Sequence, residues 1–173
     1  MNFLKTFTYR KRLHYLNNRE NKLFKATIKL YETDKSRSSI GLRLVEIFDE
    51  YAKIHYEYSK ICHRNLEALK RALFIQWYCY SEPQYLTGIG NLIPDIEIQV
   101  LTKLKKWLDK KNVDEELLWM LNYYVSFDER LYDIYIETFN YKAYINETAT
   151  LPSEFKNNNR GQMGKYWDSI INR

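Results

Sequence analysis

The chain is short of the residues that interrupt regular backbone. Its 173 residues include five glycines and three prolines, well below the roughly 7% and 5% of ordinary proteins. Few breakers, together with many Lys, Leu and Glu, favour long helices over a loop-rich fold. Cysteine is scarce too, with only Cys62 and Cys79. On one helix the two would stand roughly 25 Å apart, whereas a disulfide needs Cα atoms within about 7 Å. That excludes a bridge between them, and two unpaired thiols point to a reducing, cytoplasmic setting. No apolar run is long enough for a membrane span. Residues 1–19 carry five Lys/Arg and no acid but lack the continuous apolar core of a secretory signal.

The motifs of common chemistries are missing as well. The three histidines form no Glu-x-x-His pair of the kind a di-iron bundle needs. His55 and His63 lie about 12 Å apart along a helix, too far to share an ion, and no Cys-x-x-Cys occurs. Gly88-Ile89-Gly90 is followed by Ile93 where a dinucleotide fingerprint needs its third glycine, and there is no P-loop or serine nucleophile elbow. Three residues separate Arg10 from His14, short of the Arg-to-His spacing of HEPN-type helical ribonucleases. A helix-turn-helix turning at Gly88 would put Pro94 inside its recognition helix. No catalytic residue, metal ligand or cofactor is expected.

What remains is a helical pattern. Residues 3–16 and 18–33 look like two helices joined near Asn17-Asn18. Ile40, Ile47, Ile54 and Ile61 recur every seven residues, with Leu44, Tyr51 and Tyr58 four positions after the first three. This is a heptad seam, and it resumes after a slip at Asn65 with Leu66, Leu69, Leu73, Trp77 and Tyr80. A straight helix over 39–81 would measure about 65 Å against a domain of ~40 Å, so a bend is expected near His63–Leu66. Pro83 ends this helix, Gly88 and Gly90 turn the chain, and Pro94 opens the next helix, whose buried face reads Ile96, Val100, Leu101, Leu104, Trp107 and Leu108. Asp114 caps another helix, with Leu118, Leu121, Val125, Tyr132, Tyr135 and Phe139 on its face. The expected fold is an all-α, single-domain antiparallel bundle of five or six helices with one long central helix at about 39–81. The bundle fills 1–155, and 156–173 is a tether, "KNNNRG", plus a short amphipathic helix.

Charge is uneven. Residues 1–43 hold 11 Lys/Arg against 3 Asp/Glu, net +8; residues 44–155 are net −6 and 156–173 net +3. The basic ends either lie on the acidic body or meet a polyanion. For the second case Arg10, Lys11, Arg12, Lys22, Lys25 and Lys29 are the candidate phosphate contacts. A second candidate region is the aromatic group Trp77, Tyr78, Tyr85, Trp119 and Tyr123, with Glu82 and Asn122 as its polar members, as a pocket or partner surface. The third is Met163, Tyr166, Trp167, Ile170 and Ile171, spaced i, i+3, i+4, i+7, i+8 on one face of a short helix that must dock to be ordered, in cis or on a partner or second copy. By elimination the leading expectation is a non-enzymatic helical module, an adaptor or regulator, that binds a protein. The alternatives are a nucleic-acid-binding regulator using 1–43 and, behind it, a small-molecule enzyme at the aromatic cluster.

Overall fold

The computed structural model describes residues 3–33, 37–127 and 159–171. They form seven helices: α1 (Phe3–Thr33), α2 (Arg37–Ile61), α3 (Leu66–Ser81), α4 (Gln84–Thr87), α5 (Pro94–Asp109), α6 (Glu115–Phe127) and α7 (Gly161–Ile171). No strand occurs among the described residues, so the fold is all-α as the periodicities require. The count exceeds five or six partly because the glycine corner contains a four-residue helix of its own. The expected face at Tyr132, Tyr135 and Phe139 lies outside the described residues.

Two boundaries differ from expectation. The first two segments are one helix of 31 residues. Asparagine tends to break helices because its amide competes for backbone hydrogen bonds. Here the Asn17 amide is engaged elsewhere: its Oδ1 accepts the Gly161 N–H at 2.8 Å, and its Nδ2 donates to Asn18 at 3.2 Å. The expected helix over 39–81 is instead two, α2 and α3, parted at the place where the seam changes phase. Asn65 is extended at φ −136°, ψ 110°, and its side chain accepts the Ala68 N–H, a helix cap.

The seam is the core of the molecule. Leu44, Ile47, Tyr51, Ile54, Tyr58 and Ile61 are all buried, and α2 packs through them against α1 and α3. Beyond α3, Glu82 is extended at φ −126°, as the following proline demands. Gly88 takes φ +72° and donates its N–H to the Gln84 carbonyl at 2.8 Å. A Cβ there would lie 2.3 Å from Thr27 Oγ1 of α1, so the position needs glycine both for conformation and for close approach. Ile89 behind it is fully buried. The corner therefore plugs the end of the α1–α2 pair before Pro94 opens α5.

α5 buries Ile96, Val100, Leu101, Leu104 and Leu108. Asp114 Oδ1 accepts the Leu117 N–H at 2.9 Å and so caps α6. The buried face of α6 is Leu117, Met120, Leu121 and Tyr124, turned from the expected Leu118, Leu121 and Val125, which apart from Leu121 are half-buried. The turn follows from an aromatic stack between Tyr124 and Trp77 of α3, centroids 4.7 Å apart. Trp77, Leu73 and Leu121 are each 1% exposed, whereas Trp119 is half-buried. Trp77→Ala is expected to cost ~3–5 kcal/mol by removing the ring on which α6 and α7 rest. Thermal or denaturant melting of the variant measures it, and an unchanged melt would make Trp77 a surface anchor instead.

Candidate functional site

The structure gathers most of the aromatic candidates and adds α7 to them. Trp77 and Tyr78 of α3 meet Trp119 and Tyr123 of α6 through Tyr166 and Trp167: Trp167 stacks on Trp77 at 6.2 Å and stands edge-on to Trp119 at 4.8 Å. The Tyr123 and Tyr166 hydroxyls share a hydrogen bond at 2.8 Å. Glu82 and Asn122 are half-buried beside the cluster. Burial, with the Glu82 carboxylate second, pushes the Tyr78 hydroxyl up to about 12. Tyr85 is the exception. It stands apart on α4, its ring edge-on to Tyr31 of α1 at 6.5 Å. The rings of the cluster pack on one another's faces, which makes them the apolar joint between α3, α6 and α7. Met163 and Trp167 of the α7 face are fully buried, and Tyr166, Ile170 and Ile171 are half-buried. α7 thus docks in cis, against α1 and α3.

A second joint was not foreseen from the sequence, and it is polar. Glu20, in the middle of α1, is 1% exposed. Its Oε1 accepts the Tyr58 hydroxyl at 2.5 Å, and its Oε2 accepts the backbone N–H of Gln162 in the first turn of α7 at 3.1 Å. A carboxylate at a helix N-terminus is favoured both by the free N–H groups and by the dipole. Burial raises the Glu20 carboxyl above its ordinary value; Arg71, Tyr58 and Gln162 offset part of that. The Gln162 amide donates to the Tyr51 hydroxyl at 2.5 Å and to the Thr87 carbonyl at 2.6 Å, tying α7 to the glycine corner.

Cations complete this joint. Arg71 of α3 donates to Tyr58 at 3.3 Å, to the Asn159 carbonyl at 2.8 Å and to Glu67 at 2.7 Å. Arg160 holds both oxygens of Glu67, at 2.8 and 2.7 Å, and also bonds Glu116. Lys70 bridges Glu116 at 2.5 Å and Asp114 at 2.6 Å. Burial pushes the Glu67 carboxyl up, but Arg160 and Arg71 outweigh it and hold the group below its ordinary value. Within "KNNNRG", then, Asn159, Arg160 and Gly161 are pinned: Arg160 is 6% exposed, and Gly161 has φ +60°. The legible hints were slight, namely tyrosines with polar ends in the heptad seam and an Arg-Gly pair directly before an amphipathic helix.

The basic residues of α1 divide. Arg12 pairs with Glu57, and Arg19 with Glu50 at 2.6 Å, so part of the positive end lies against carboxylates of α2. Arg10, Lys11, Lys22, Lys25 and Lys29 are exposed. Lys29 also lines a cleft between α1 and α2 with Arg43 and Glu46. Cys62 and Cys79 are both buried and free; burial pushes the thiols up to about 11 and about 12, which keeps them protonated and unreactive. No group of three or more potential metal-ligating side chains comes together among the described residues, and no described helix is long and apolar enough to cross a membrane.

Two outcomes follow from these buried groups. A Cβ at position 161 would lie 2.2 Å from Glu20 Oε2, at a positive φ. Gly161→Ala is therefore expected to cost ~2 kcal/mol or more through backbone strain alone, lowering the melting temperature, whereas exposed Lys165→Ala leaves it unchanged. His55 is fully buried, and neither of its ring nitrogens has a hydrogen-bond partner among the described residues. Burial pushes it down from 6.5 to about 3. In the unfolded chain it takes up a proton near pH 6.5, while in the folded chain it does so only near pH 3. Its contribution is thus full above pH 6.5 and lost as pH falls toward 3, with a slope of at most ~1.4 kcal/mol per pH unit. Urea melts of His55→Leu between pH 7 and 4 should show a flatter decline than the parent. Parallel declines would mean that His55 does not govern the acid limb.

Comparison of the chain with protein-family models, with curated proteins and with solved structures finds no match, so the case for a function is made from its surfaces.

Proposed function

We propose that the protein is a non-enzymatic helical module that binds another protein. One patch carries this reading. Ile28 and Tyr31 at the end of α1, and Tyr85 and Leu86 on α4, are 44%, 45%, 53% and 55% exposed. Two of these rings touch, and the Tyr31 hydroxyl donates to the Tyr85 carbonyl at 2.8 Å. That bond fixes α4 to α1, so the patch is presented ready-formed and little ordering entropy opposes binding. Clustered exposed apolar side chains mark interaction surfaces, and tyrosine is a favoured anchor in them. Lys25 and Lys29 flank Ile28 along α1. The partner that fits presents apolar side chains bordered by acids. A second copy of the chain is one form such a partner could take, and a cytoplasmic location suits the two free thiols.

The runner-up is nucleic-acid contact along α1, supported by exposed Arg10, Lys22 and Lys25 and weakened by the engagement of Arg12 and Arg19 with α2. An enzyme built on the aromatic cluster has the least support, because those rings pack on one another.

Leu86→Asp puts a charge into the patch at an exposed site, where substitutions move stability by only ~0.5 kcal/mol. The expected outcome is an unchanged melt with loss of a partner that the parent protein and Lys22→Ala both capture. Capture that survives Leu86→Asp but disappears with Lys22→Ala/Lys25→Ala, or that falls steeply with salt and yields nucleic acid, would overturn the reading.

A further inference from the structure

The lysines of α5 are unevenly matched. Lys105 pairs with Asp109 at 2.6 Å. Lys103 donates to the Ser59 carbonyl, near the end of α2, at 2.7 Å. Lys106 and Lys110 stand one turn apart, both exposed, and neither reaches a carboxylate among the described residues. Like charges at this spacing repel. The dipole of α5 favours a cation at its C-terminal end, which accounts for Lys110 alone and does not account for the cavity around which these groups gather. That cavity has a volume of about 300 Å³ and is lined by His63, Lys103, Lys106, Trp107, Lys110 and Asn112. No acid lines it.

Its walls are held in place. The Trp107 indole N–H donates to the Cys62 carbonyl at 2.9 Å, which fixes the half-buried ring against the break between α2 and α3. His63 belongs to the same break. The volume is at the lower end of ligand sites. Three ammonium groups, of which Lys103 is held by the Ser59 carbonyl, and an imidazole around one hollow call for an anion of more than one charge. A fixed indole beside them offers a flat surface for a ring.

We propose that this cavity binds a small organic phosphate that carries a flat ring, the chemistry of a mononucleotide. Lys106, Lys110 and His63 meet the phosphate, and Trp107 meets the ring. The site is separate from the apolar patch on α1 and α4, and neither proposal depends on the other.

Calorimetric titration of the full chain with AMP, adenosine and inorganic phosphate tests it. AMP is expected to bind at least about tenfold more tightly than either fragment. Lys106→Ala/Lys110→Ala should weaken AMP by more than about tenfold with an unchanged melt, and Lys22→Ala/Lys25→Ala should leave AMP binding intact. Absence of AMP binding at millimolar concentration overturns the proposal, as does equal affinity in the double α5 variant. Inorganic phosphate binding as tightly as AMP also overturns it, because the indole then contributes nothing. A single-stranded oligonucleotide that displaces AMP with an affinity growing with its length would assign the lysines to a nucleic-acid backbone, and that too overturns it.

Discussion

A carboxylate buried in the middle of a helix is the constraint on which the rest of this structure turns. Glu20 is 1% exposed, and an ionisable group so placed is tolerated only with partners on every side. It obtains them from three directions: the Tyr58 hydroxyl from α2, the nearby positive charge of Arg71 from α3, and the backbone N–H of Gln162 in the first turn of α7. Each of these helices is thereby held in register with α1. Gly161 is part of the same arrangement, since any side chain there would occupy the space of the Glu20 carboxylate. Removing one member of such a network leaves the others buried and unmatched, which is more damaging than the net worth of the contacts suggests.

The aromatic joint and the polar joint divide the work of holding α7. Trp167 and Met163 give that helix its apolar burial, which is non-directional and tolerates sliding. Arg160, Gly161 and Gln162 supply hydrogen bonds of fixed geometry, which do not. Together they make an 11-residue helix, too short to be stable alone, an integral part of the bundle. Six rings, those of Phe74, Tyr78, Tyr123, Tyr124, Tyr166 and Trp167, thus pack around Trp77, and the ion network joins the same helices. The two proposed sites, the apolar patch of α1 and α4 and the cation-lined hollow of α5, lie instead on the outer surface of the described residues.

Much of the fold was legible in advance because it rests on local rules. The seam of α2 is buried from Leu44 to Ile61, with Ile40 half-buried at its start, since a seven-residue repeat defines one helical face whatever packs against it. Pro83, Pro94 and Asp114 mark their helix ends because their effects on the backbone act within a turn. The α7 face was readable for the same reason. Asn17-Asn18 misled, because the fate of an asparagine amide depends on whether a distant group bonds to it, and here the Gly161 N–H donates to the Asn17 Oδ1. The rotated face of α6 misled because apolar and aromatic residues fill most of 117–125, so spacing alone does not choose among them, and in the structure Tyr124 turns inward to stack on Trp77.

The sequence by itself determined that the chain is helical, where most helices begin and end, and which stripe of most of them is apolar. Those properties are set by contacts within one or two turns. Only the tertiary structure decided that Glu20 meets Gln162, 142 positions away, that Arg71 and Arg160 share Glu67, that α7 docks in cis, and that Tyr85 leaves the aromatic cluster to join Tyr31. Apart from Arg71 with Glu67, one turn apart on α3, these pairings join residues far apart in the chain, and no local periodicity records which polar side chain will find which partner once the helices pack.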